Sequence, residues 1–109
     1  MDGWTDALAS EDVVDGKAAV VDVDGVVVLV YRSGERLFAV ANRCTHQGAP
    51  LNRGTIRVAG SEATVTCPAH GSVFRLTDGA VVRAPAATPI AAFDVKDEEG
   101  RIHLRPRGG

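Results

Sequence analysis

The residues of this chain best suited to inorganic chemistry fall in two short runs. Cys44-Thr45-His46 is followed, after twenty residues, by Cys67-Pro68-Ala69-His70. Together they use both cysteines and two of the three histidines in the chain. Each run is trailed by turn-forming residues, Gln47-Gly48-Ala49-Pro50 after the first and Gly71 after the second. Thiolate and imidazole are both strong donors to first-row transition metals. Two loops, each offering one of each, are what a shared inorganic centre requires.

Other chemistries use the same residue types. A Cys44–Cys67 disulfide would leave the matched histidines without a purpose. A nucleophilic cysteine activated by histidine needs one such pair, and here the pair is duplicated. The serious rival is a Cys2His2 zinc site, which has the same ligand set. Zinc modules usually group like ligands, Cys-x-x-Cys with His-x₃₋₅-His, whereas each loop here mixes them. Mixed loops favour a two-iron centre to which both loops contribute, with zinc as the alternative.

The elements that must position these loops read as nearly all β. Valine-rich segments are interrupted at short intervals by Asp-Gly, Ser-Gly and Glu-Gly pairs. Strands are expected over 17–23 and 26–32, joined at Asp24-Gly25, a strong two-residue hairpin signal. Further strands are expected over 35–41, 55–58, 63–66, 72–76, 91–96 and 101–105, with Asp97-Glu98-Glu99-Gly100 turning between the last two. Ser10 before Glu11-Asp12 is placed to cap a single helical turn. Trp4, Tyr31, Phe38 and Phe93 read as strand residues packing the core. From Asn42 to about Pro89 the texture changes. Pro50, Pro68, Pro85, Pro89 and both cysteines lie there, as in a loop-rich insert carried by a plainer β scaffold.

A chain of 109 residues with 45% hydrophobic content supports one domain, residues 1–109, and one principal core. Net charge is −2, which argues against nucleic acid as a bulk electrostatic partner. Charge is uneven along the chain. Up to Asp24 seven acids face only Lys17, while from Arg32 to Arg83 seven arginines face Glu35, Glu62 and Asp78. Both ligand runs lie in that basic stretch. The N-terminus lacks the pattern of a secretory signal, and the apolar stretch 18–31 is broken by Asp22, Asp24 and Gly25, so no membrane association is expected. A soluble cytoplasmic protein is the expectation. In that reducing setting two cysteines serve more naturally as ligands than as a disulfide.

At these residues the chain resembles the Rieske [2Fe–2S] family. Cys-x-His followed by Cys-x-x-His is that family's ligand pattern. It comes here with Gly48-Ala-Pro-Leu51, the run Cys67-Pro-Ala-His-Gly-Ser-Val-Phe74, Asp78-Gly79, and the proline-containing loop Ala84-Pro85-Ala86-Ala87-Thr88-Pro89. The resemblance implies a Rieske-like fold of three antiparallel sheets, with a cluster-binding subdomain at about 42–89 inserted in a β base. It implies that Cys44 and Cys67 bind one iron, that His46 and His70 bind the other nearer solvent, and that the loop around Pro85 covers the cluster. With two ferric ions, two sulfides and two thiolates the charge sums to zero, so an added electron is better tolerated than on a four-thiolate cluster.

The departures carry information too. Respiratory members bridge the two loops with an extra cysteine pair, and here those places are Ala49 and Ala69. Ser72 matches a serine that in high-potential members donates to a cluster sulfur, whereas Phe74 stands where those members have a tyrosine. His103 lacks a companion motif and reads as an ordinary strand histidine. Arg43, Arg53 and Arg75, in or beside the loops, could form a docking surface for an acidic partner. The implied role is electron transfer from a flavin-dependent ferredoxin reductase to a terminal oxygenase. The alternatives are a small electron-transfer subunit of a larger reductase such as nitrite reductase and, behind it, a Cys2His2 zinc-stabilised interaction domain. A Rieske oxygenase would need a further iron bound by two histidines and a carboxylate, and only His103 remains.

Overall fold

The computed structural model describes residues 3–107, so the reading of Met1 and Asp2 lies outside the described residues. Ten strands form: β1 (Thr5–Ala9), β2 (Ala18–Val23), β3 (Val26–Ser33), β4 (Arg36–Ala41), β5 (Thr55–Ala59), β6 (Glu62–Thr66), β7 (Val73–Arg75), β8 (Val81–Arg83), β9 (Ala92–Glu98) and β10 (Arg101–Pro106). Single 3₁₀ turns cover Ser10–Asp12 and Leu51–Arg53. Hydrogen bonding arranges the strands in two antiparallel sheets, one in the order β1-β10-β9-β4-β3-β2 and one in the order β5-β6-β7-β8.

The expectation of three sheets is thereby corrected to two. β4 pairs with β9 through Ala39–Phe93 and Val40–Ala92, and this short ladder joins the β2–β4 meander to the terminal strands in one sheet. That sheet curls until its edge strands, β1 and β2, approach each other. The smaller sheet is built wholly from chain lying between β4 and β9.

The valine-rich run of β3 shows why its apolar residues do not alternate with polar ones. Val28, Leu29 and Val30 are all completely buried, because the strand has a core on each face. Val28 and Val30 point into the curled sheet with Val13, Ala39, Ile102 and Leu104. Leu29 points the other way, joining Phe38 and Val40 against Ala63, Val65 and Phe74 of the smaller sheet and Leu76 just after β7. Both cysteines belong to this second cluster, so the ligand loops are rooted where the two sheets meet.

At the β2–β3 hairpin, Asp24 and Gly25 adopt φ of 53° and 85°, the two positive values of a type I′ turn. Two strands were not foreseen. β1 reads Thr-Asp-Ala-Leu-Ala, weak in β propensity, and forms because β10 offers it a partner (Thr5 opposite Leu104, Asp6 opposite His103). β8 is only three residues long and lives on its pairing with β7. Ser10 does open a helical turn, but Ala9 is the cap residue and has no side-chain cap; the Ser10 hydroxyl donates to Asp97 instead. Strand β9 runs on through Glu98, leaving Glu99-Gly100 as the turn. Phe38 is buried and Tyr31 and Phe93 are half-buried in the cores, whereas Trp4 precedes β1 and its ring carries the cationic groups of Lys96 and Arg105 against it.

Candidate metal centre

The two ligand runs fold into loops with the same internal hydrogen bonds. In the first, Cys44 N–H donates to Ala49 C=O (2.9 Å) and Gly48 N–H donates to Cys44 C=O (2.7 Å). In the second, Cys67 N–H donates to Ser72 C=O (2.7 Å) and Gly71 N–H donates to Cys67 C=O (3.2 Å). Both turns depend on a glycine four residues after the cysteine, with φ of 79° at Gly48 and 81° at Gly71. The chain therefore builds one loop geometry twice, although the histidine stands two residues after Cys44 and three after Cys67.

That geometry sorts the donors by depth. Cys44 and Cys67 are unpaired thiols with 1% and 3% exposure, packed in the core between the sheets. His46 and His70 are exposed, and their rings meet edge to face with centroids 5.2 Å apart. All four foreseen ligands are thus brought to one end of the molecule. His103 is not; it lies in β10 between Asp6 of β1 and Lys96 of β9.

The donor set fits a binuclear cluster. Among the described residues, no three His, Cys, Asp or Glu side chains converge on a point where one ion could be held. A tetrahedral zinc site needs four such donors around one ion. A [2Fe–2S] centre asks each iron for only two protein ligands, and two buried sulfurs beneath two exposed nitrogens match that division.

The loop 84–89 fastens both ligand loops. Ala86 N–H donates to the Ser72 hydroxyl oxygen (3.0 Å), and the Thr45 hydroxyl donates to Thr88 C=O. Just beyond, Ile90 N–H donates to Gly79 C=O (2.9 Å). Gly79 is required there, since a Cβ would lie 2.0 Å from the Ile90 oxygen. Pro85 is exposed on this loop while Ala86 is buried beneath it. Ser72 and Phe74 are both fully buried beside the cysteines. Thr45 was not singled out in the sequence, although its place between two ligands was the available signal. Ala86 and Thr88 lie in the proline-containing loop that the sequence marked, but nothing singled them out as the residues that make the contacts.

The three arginines differ. Arg43 is exposed, and its guanidinium lies against Gly48, 3.1 Å from where a Cβ would stand. Arg53 is exposed at the end of the Leu51–Arg53 turn. Arg75 forks onto Asp78 with two 2.9 Å hydrogen bonds, which removes much of its charge from any partner. This pairing, together with the Ala80 N–H, pulls the Asp78 carboxyl down to about 2.

A β fold carrying two matched Cys/His loops, with sulfurs inside and imidazoles outside, defines an iron–sulfur protein of the Rieske class. Residues 3–94 match the Rieske [2Fe-2S] domain family, and the chain belongs to that family, whose cofactor is a [2Fe–2S] cluster. It is 30% identical over 102 residues to ferredoxin CarAc of Metapseudomonas resinovorans, covering 93% of this chain and 92% of that protein. Among solved structures it is similar to the ferredoxin in a complex of reduced oxygenase and oxidized ferredoxin of carbazole 1,9a-dioxygenase (TM-score 0.78, 29% identity, 96% of this chain and 94% of that one). It is equally similar to a Mycobacterium tuberculosis protein assigned as the small subunit of an NADH-dependent nitrite reductase (TM-score 0.81, 28% identity, 97% and 96%).

Proposed function

We propose that this protein is a one-electron carrier that takes electrons from a flavin-dependent reductase and delivers them to a terminal oxygenase. In this reading Cys44 and Cys67 hold one iron and His46 and His70 the other, within a cluster-binding subdomain at about 42–89. The single observation that carries the reading is the edge-to-face pair of exposed histidines above two buried cysteines. Bound there, the cluster supplies a centre that accepts and returns one electron. The chain's own residues do the rest. Leu29, Val40, Leu51 and Phe74 surround the thiols with apolar side chains and exclude water from them. His46 and His70 provide the edge that a partner can approach, and Arg43 and Arg53 beside it attract an acidic surface.

The relatives support the oxygenase branch, because one was solved on its oxygenase. The nitrite-reductase likeness supports a second reading, a fixed subunit of a larger reductase. A cytoplasmic setting accompanies either role, and among the described residues no helix is long and apolar enough to cross a membrane. The test is the purified protein itself. It should be red-brown, give a Rieske-type EPR signal once reduced, and migrate as a free small protein. A colourless protein holding one zinc would remove the carrier reading, and isolation only within a larger complex would favour the subunit reading.

A further inference from the structure

Two polar side chains are buried among the described residues, Asn42 and Ser72, and one belongs to each ligand loop. Ser72 is accounted for by its bond to Ala86. Asn42 has no counterpart in the metal-binding pattern, and its surroundings show what it does. The second loop is closed by backbone pairing, since Thr66 at the end of β6 lies opposite Val73 at the start of β7. The first loop has no such closure. It leaves β4 in the six-stranded sheet and returns to β5 in the four-stranded one, so no ladder can join its ends.

Asn42 supplies the missing closure. Its Oδ1 accepts from Asn52 N–H (2.7 Å), and its Nδ2 donates to Asn52 Oδ1 (2.8 Å). Its own N–H donates to Val27 C=O (2.8 Å), carrying the β3–β4 pairing one residue further. The side chain therefore ties the far end of the loop to the larger sheet through a reciprocal amide pair. Only an amide can do this at both ends, because the site needs an acceptor and a donor on one planar group. The loop held shut contains Cys44 and His46.

We infer that Asn42 is the positioning residue of the first ligand loop, setting the placement of Cys44 and His46. The inference rests on the reading that these loops hold the cluster. Removing the amide leaves Asn52 N–H without its partner at a partly buried site and frees nine residues, 43–51, at one end.

The test compares Asn42→Ala, Asn42→Asp and Asn52→Ala with wild type and with Leu104→Ala, a cavity variant in the other core cluster. Loss of the visible cluster spectrum under a chelator should be about tenfold faster in Asn42→Ala. It should be less affected in Asn42→Asp, which keeps the acceptor, and in Asn52→Ala, which keeps the N–H. The reduction potential and EPR line shape should move in Asn42→Ala and stay at wild type in Leu104→Ala, even though the latter lowers the unfolding temperature. In the cluster-loaded protein, amides 45–51 should exchange faster by mass spectrometry in Asn52→Ala, whose exposed site makes folding safe. Cluster loss and potential in Asn42→Ala equal to wild type would overturn the inference, as would the same spectral change in Leu104→Ala. Should Asn42→Ala fail to fold, unchanged exchange and cluster loss in Asn52→Ala would overturn it equally. A wild type without any Rieske signal would instead remove the function proposed above.

Discussion

The hydroxyl oxygen of Ser72 accepts a hydrogen bond from the backbone N–H of Ala86, 3.0 Å away, in a position sealed from solvent. A hydroxyl that accepts from one side keeps its proton for another acceptor. The proline-containing loop thus fixes the oxygen and leaves its proton available to an acceptor such as a cluster sulfur. Rieske potentials span about −150 to +300 mV, and donors to cluster sulfur raise them. This chain has the Ser72 hydroxyl, lacks one at Phe74, and has alanines at 49 and 69. Its potential should fall at about −150 to +100 mV. Voltammetry should show a lower value for Ser72→Ala and a higher one for Phe74→Tyr. A wild-type value near the top of the range would mean that donor count does not set the potential here.

Ligation is tested by single imidazole deletions. His46→Ala and His70→Ala should each abolish the Rieske EPR signal, because each leaves one iron short of a donor. His103→Ala should leave it intact, since that residue sits in β10 of the other sheet, paired with Asp6 and Lys96. Loss of the signal in His103→Ala alone would contradict the assignment.

Cluster removal should affect the two cores unequally. In the proposed reading residues 42–89 draw part of their folding free energy from metal-site binding, and the two cysteines are unbridged. The curled sheet keeps its own cluster of Val28, Val30, Ala39, Ile102 and Leu104. Amide exchange on the cluster-free protein should find those strands protected and the segments around Cys44 and Cys67 open. Equal protection throughout would show that the insert is not separable.

Docking should depend on salt. Arg43 is exposed beside the first loop and has no ion pair among the described residues, unlike Arg75. Electron transfer to the native acceptor should therefore slow as ionic strength rises, with screening over ~10 Å at 0.1 M. Arg43→Glu and Arg53→Glu should slow it further with unchanged spectra, and Arg75→Glu should act less through charge. Rates independent of salt would remove the electrostatic part of the docking proposal.

Acid should loosen the turn after β7. Asp78 titrates at about 2 in the folded protein against an ordinary 3.8, chiefly through the Arg75 fork. Its folded value is depressed, so its contribution is present above about pH 4 and disappears as pH falls toward 2. The pair is partly exposed, which limits the effect to about 0.5–1 kcal/mol. Asp78→Asn should lower stability by that amount at neutral pH and converge with wild type near pH 2 in denaturant titrations. A constant difference across that range would place the effect elsewhere.

Much of this protein is legible from residue order alone. The Cys-x-His and Cys-x-x-His runs announce the donors, because ligand chemistry depends on residue type and a mixed pair in each loop is hard to explain otherwise. The Asp24-Gly25 hairpin and the strands around it follow from local propensity. Propensity could not find β1, whose conformation is imposed by a partner nearly one hundred residues away, nor the ladder from β4 to β9 that turns three expected sheets into two. The depth of the donors was likewise a tertiary matter. Cys44 and Cys67 are internal because the loops spring from the seam between two sheets, and His46 and His70 are external because the same turn points them outward. Asn42 shows the difference most clearly. In the sequence it is an ordinary loop residue, and only the return of the chain to a different sheet, with no backbone ladder to close the loop, makes its amide necessary.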